Sequence, residues 1–141
     1  MQRRPSNPHL ALGRWELHPS SEAPRSRREG WWEPATDIFT SGQAVVIKME
    51  LAGVRPDMVD LTVDGRLLRV RGERPLECPG GDCEYRQVEI SYGRFERAFE
   101  FPFPLGDAKL AASCADGFLT IRVEPAASEP RRIEINRAEQ D

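Results

Sequence analysis

Few side chains in this chain have types that could do chemistry: three cysteines, two histidines and a scatter of carboxylates among 141 residues. Cys78 and Cys83 flank Pro-Gly-Gly-Asp, a pattern that suits a metal or redox pair. A structural zinc site takes four ligands, and the only histidines, His9 and His18, lie far upstream. The pair therefore reads as two thiols in a glycine-rich loop. Cys114 makes the count odd, and without an export signal the expectation is free thiols rather than a disulfide framework. Carboxylate pairs such as Glu50 with Asp57, or Asp60 with Asp64, are the acid and base types of a glycosidase, yet they fall on polar strand faces and turns, where solvated surface is the ordinary state. A Ser-His-Asp or Cys-His arrangement would have to recruit the histidines from outside the folded segment. Gly80-Gly81 alone is too short to cradle a phosphate. The expectation is a protein with no catalytic residues, no cofactor and no metal.

The elements that hold these residues are strands. From Thr36 onward the chain runs in short alternating segments rich in Val, Ile, Leu and Phe, each bounded by Gly, Asp or Pro, the pattern of an antiparallel sandwich. Val45, Ile47, Met49 and Leu51 share one face of the first, with Lys48 and Glu50 on the other. A hairpin around Asp64-Gly65 turns Val59, Leu61 and Val63 inward on one limb and Leu68 and Val70 on the next. Phe95, Phe99 and Phe101 form a third apolar face, ended by Pro102 and Pro104. A second Asp-Gly hairpin, at Asp116-Gly117, carries Leu119, Ile121 and Val123. No segment of 36–124 offers an amphipathic helix of about ten residues, so the fold class is all-β.

Three features stand outside that pattern. Arg97 is in register with the phenylalanines and points to the face that should be apolar, where an unpaired guanidinium is costly; snorkelling at a sheet edge or an ion pair with an acid from elsewhere would accommodate it. Within the long connection from Arg74 to Gly93, Glu84–Ile90 has strand propensity amid loop chemistry, and such a detached strand is a candidate for pairing outside its own subunit. In the tail, Ile133 and Ile135 project to one side of an extended backbone. They need a partner surface, either in their own domain, as a last strand, or in another subunit.

The chain divides into an N-terminal arm (1–35), a domain (36–124) and a C-terminal extension (125–141). The arm holds five of the twelve prolines, both histidines and all three tryptophans, without sustained periodicity. It reads as flexible, with Leu10, Leu12, Trp15, Leu17, Trp31 and Trp32 as sticky points. The net charge of −3 divides as +2, −3 and −2 over 1–35, 36–123 and 124–141. No part has the basic excess that nucleic acid requires. No apolar run is long enough to span a membrane, and the start lacks the apolar core of a secretory signal, so the expected location is the cytoplasm.

The segments from Trp32 through "ELAGV" and Pro56, the Leu68, Val70, Gly72, Glu73, Arg74 series, "SYGRFERAFEFP", and Ala112 followed by "DGFL" resemble the α-crystallin domain of small heat-shock proteins of the bacterial and plant type. The tail's Ile-Glu-Ile resembles that family's anchoring motif. The resemblance implies an immunoglobulin-like sandwich that dimerises and assembles further. The exchanged segment would be Glu84, Tyr85, Arg86, Gln87, Val88 and Glu89, pairing beside a strand near Asp37–Ser41 of the partner, with Arg97 at the same interface. Ile133 and Ile135 would enter a groove of Val59, Leu61 and Val63 on one edge strand and Leu110 and Ala112 on another. The implied function is an ATP-independent holding chaperone whose arm contacts partly unfolded clients, with self-assembly as the other partnership. The rival is a CS-domain-like adaptor, which shares the sandwich but generally lacks the Ile-x-Ile tail and "DGFL". Two departures stand out: Ala52, where the family usually has proline, and Cys78 and Cys83 in a loop that is normally cysteine-poor.

Overall fold

The structure is a computed structural model that describes residues 18–19, 31–127 and 132–135. Its strands are β1 (His18–Pro19), β2 (Thr36–Ser41), β3 (Ala44–Glu50), β4 (Val59–Asp64), β5 (Leu67–Arg74), β6 (Gly93–Glu100), β7 (Lys109–Ala115) and β8 (Phe118–Glu124), with one 3-10 turn at Pro56–Met58. They form two four-stranded sheets, ordered β1-β6-β5-β4 and β2-β3-β8-β7. Every pairing between named strands is antiparallel.

The alternation read from the sequence explains what fills the space between the sheets. Val45, Ile47, Met49 and Leu51 from one sheet meet Leu68, Val70, Phe95 and Phe99 from the other, with Leu119, Ile121, Val123, Phe101 and Leu105 completing the buried cluster. Successive residues of a strand point to opposite faces, and on the outward faces Val46, Glu96 and Ala98 are buried as well. Gly72 is fixed by packing: a Cβ there would lie 2.6 Å from the Met58 carbonyl oxygen and against the Phe95 ring tip. At the β7–β8 turn, Asp116 and Gly117 both take positive φ, 54° and 82°, the conformation that lets a two-residue turn match the strand twist.

The folded unit begins earlier than Thr36. Trp32, expected among the sticky points of a mobile arm, forms a parallel bridge to Phe95. Its indole Nε1 donates to the Gly93 carbonyl at 3.0 Å, and its ring meets Phe95 edge-on at 5.3 Å between centroids. The Arg74 guanidinium lies 4.2 Å from the indole centroid. These contacts satisfy both the apolar body and the polar tip of the side chain, which is why it belongs to the domain. Trp31 is half-buried as well, beside Met58 and Gly72. Leu10, Leu12, Trp15 and Leu17 lie outside the described residues.

Candidate assembly site

The order of the sheets leaves β4 and β7 as edge strands. Val59, Leu61 and Val63 stand opposite Gly72, Val70 and Leu68, so they point to the inner face as expected. An edge has a neighbour on one side only, and here inward does not mean buried: Leu61 is 38% and Val63 44% exposed. On β7, Leu110 and Ala112 stand opposite the buried Val123 and Ile121. Val59 and Leu110 pack against the core from either side. Cys114, opposite Leu119, shares that inward row and is exposed. Val59, Cys114 and Leu119 line a cavity of about 230 Å³ at one end of the opening. The alternation of Cys114 with Leu110 and Ala112 was the available signal in the sequence for a place in this row.

The tail does not fill this opening in its own subunit. Ile133 and Ile135 are 77% and 95% exposed, and residues 132–135 carry no strand. A last strand of the domain is therefore not what these residues form.

The second candidate surface is the connection between β5 and β6. Residues 84–89 form no strand in this subunit. Tyr85, Val88 and Ile90 stand 46%, 56% and 59% exposed. Strand β2, the remaining long edge of its sheet, presents Ile38 at 39% and Phe39 at 47% exposure. Both thus have unspent apolar surface and unpaired backbone, the ingredients of β-augmentation.

The loop is tethered at its return end by Arg74, whose Nε donates to the Ser91 carbonyl at 2.8 Å and whose Nη1 donates to the Ala52 carbonyl at 3.0 Å. Arg97 Nη1 donates to the Pro34 carbonyl at 3.1 Å, and its guanidinium lies 5.5 Å from the Phe99 ring centroid. A backbone carbonyl and an aromatic face thus meet the charge within the subunit. The buried acid lies on the opposite face, unremarked in the sequence: Glu96, 8% exposed, accepts from the more exposed Arg71 at 2.9 Å and pairs with Arg69 at 3.1 Å.

The cysteines correct one expectation. Cys78 and Cys83 form a disulfide with their Cα atoms 5.9 Å apart, leaving Cys114 as the free thiol. The expectation of free thiols rested on the odd count and on cell compartment. Local geometry overrides them, because Gly80 and Gly81 both take positive φ, 87° and 81°, and turn the chain back on itself. Among the described residues no three His, Cys, Asp or Glu side chains gather as a metal cluster, and no helix is long and apolar enough to cross a membrane.

A two-sheet antiparallel sandwich with a long exposed loop between β5 and β6 and two uncovered edge strands is the α-crystallin type of immunoglobulin-like fold. The Hsp20/alpha crystallin family model matches residues 37–136, and the chain belongs to that family of small heat-shock proteins. It is similar to the 18.1 kDa class I heat shock protein of Pisum sativum, 34% identical over 122 residues that cover 84% of this chain and 77% of that protein. Small heat shock protein C4 of Rickettsia felis is 29% identical over 104 residues, 73% of this chain and 64% of the relative, so the match spans just under two thirds of the latter's length. Among solved structures, a small heat-shock protein from Xylella fastidiosa, described as having a distinct high order structure, superposes with a TM-score of 0.61 at 29% identity, covering 75% of this chain and 98% of that one.

Proposed function

We propose that this chain is an ATP-independent holding chaperone of the cytoplasm, stored as a homo-oligomer, that binds partly unfolded proteins and keeps them from aggregating. One observation carries the assembly part of this reading: two isoleucines almost wholly in water, on the same chain as an open apolar edge that they match in chemistry and spacing. Ile133 and Ile135 of one subunit enter the groove of Val59, Leu61, Val63, Leu110 and Ala112 on another. Glu84–Glu89 pairs along the exposed edge of β2 in a dimer partner, close to Arg97. Arm residues Leu10, Leu12, Trp15 and Leu17 supply adaptable apolar contacts to clients, each weak and together permissive. Trp32 is not among them, because its ring is committed to Phe95 and Arg74.

Heat-induced light scattering of an unrelated enzyme tests the reading. The full chain suppresses scattering at near-stoichiometric subunit ratios without nucleotide. Scattering unchanged by a several-fold excess, or suppression that needs ATP, refutes it.

A further inference from the structure

The Cys78–Cys83 pair sits at the head of the segment that the proposed function assigns to dimer exchange, and nothing in that function uses it. Extended, the five residue steps from Cys78 to Cys83 span up to about 17 Å; the crosslink holds their Cα atoms at 5.9 Å. The turn inside the ring is built for closure. Gly80 and Gly81 take positive φ, the Gly81 amide donates to the Cys78 carbonyl at 3.2 Å, and the Cys83 amide donates to Cys78 Sγ at 3.1 Å. With the ring closed, the residues just after it stand away from their own domain. Tyr85 and Val88 are about half exposed, and a cleft of about 720 Å³ separates Trp32, Ala35 and Glu50 from Ile90 and Tyr92.

We propose that Cys78 and Cys83 are a reversible thiol–disulfide site that sets how firmly the segment 84–89 is presented to a partner subunit. The oxidant is a small-molecule disulfide. The Cys78 thiolate attacks one sulfur of it. The oxidant's sulfur–sulfur bond breaks, and one thiolate leaves with the electron pair. The Cys83 thiolate then attacks Cys78 Sγ in the mixed disulfide and expels the second thiolate. The protein has lost two protons and two electrons, and the oxidant has become two thiols. A small-molecule thiol reverses each step.

Closing the ring removes freedom that the reduced loop would otherwise lose on docking, so the oxidised segment binds its partner more tightly. The closure entropy of a ring of about six residues caps the gain at roughly forty-fold in the dimer dissociation constant per loop. This inference rests on the exchange dimer proposed above. The same loop thereby ties assembly to redox conditions, with reduction loosening the dimer and freeing subunits.

Its test uses the full chain in reduced and in oxidised glutathione, beside the Cys78→Ser/Cys83→Ser double variant. Cys114 is present in both, so any effect of that thiol appears in both and cancels. Mass spectrometry after alkylation is expected to show the 78–83 peptide crosslinked in oxidised glutathione and alkylated at both thiols in reduced glutathione. Exchange between isotopically labelled and unlabelled subunits is expected to be several-fold slower for the oxidised wild type, and unchanged by redox state in the double variant. A peptide that stays reduced throughout overturns the proposal, as does a crosslink that leaves exchange unaltered. Val88→Asp separates the two layers of the argument. If that variant remains dimeric, the exchange dimer itself is wrong. If it is monomeric while wild-type exchange ignores redox state, the redox inference alone fails.

Discussion

Replacing Ile133 and Ile135 together with alanine should dissolve the assembly without touching the fold. Both side chains begin almost entirely in water, at 77% and 95% exposure, so nearly all of the roughly 1.5–3 kcal/mol that full burial of an isoleucine is worth is available from each on docking. Immobilising each side chain costs about 0.5–1.5 kcal/mol. What remains is about 2 kcal/mol per tail, which is roughly a thirty-fold change in each link. A dimer offers two tails and two grooves, and the second link forms at high effective concentration. Losing both therefore weakens attachment of a dimer by roughly a thousand-fold, enough to leave dimers at micromolar protein. Analytical ultracentrifugation reads the result. Glu134→Ala, whose side chain alternates to the opposite side of the backbone, should sediment as the wild type does. A double variant that keeps the full sedimentation coefficient refutes the anchor. So does one that loses its far-UV β signal, because two side chains this exposed cannot be holding up their own domain.

Three further outcomes follow from contacts within the subunit. Trp32→Ala should lower domain stability by about 2–3 kcal/mol, less than the roughly 3–5 kcal/mol of a fully buried aromatic because the ring is not fully buried; denaturant unfolding followed by circular dichroism measures it, and no change would return Trp32 to the arm. Gly72→Ala should cost about 1–3 kcal/mol from the collision of its Cβ with Met58 and Phe95, seen in the same unfolding curves as a shifted midpoint at constant slope. Arg97→Ala removes a charged hydrogen bond to the Pro34 carbonyl and should cost about 1.5–3 kcal/mol; differential scanning calorimetry checks it, and a loss below about 0.5 kcal/mol would show that solvent already satisfies the guanidinium.

The strands were legible because alternation is a local property: β3, β5, β6 and β8 announce themselves in Val45–Ile47–Met49, Leu68–Val70, Phe95–Phe99 and Leu119–Ile121–Val123. Alternation says which way a side chain points and not what lies beyond it. Leu61 and Val63 were read as inward and are inward, yet they stay exposed because β4 is the last strand of its sheet, a fact of topology with no local signal. Trp32 escaped for a different reason. Its neighbours have no periodicity, and its partners, Arg74, Gly93 and Phe95, lie some forty to sixty residues away. The Cys78–Cys83 crosslink was hidden behind an argument from cell compartment, while Gly80-Gly81 already carried the geometric signal for a closed turn. Arg74 was noticed as part of a motif. That its guanidinium ties Ser91 to Ala52 follows only from the three-dimensional arrangement.

The holding activity itself is tested most directly by asking where a heated client goes. A thermally labile enzyme is heated with the full chain in the absence of nucleotide, centrifuged, and the supernatant fractionated by size with light-scattering detection. The expected result is a soluble high-mass species containing both proteins, with the pellet depleted of client in proportion to the chaperone added. A client that pellets completely, while this chain stays behind alone at its original mass, contradicts the account.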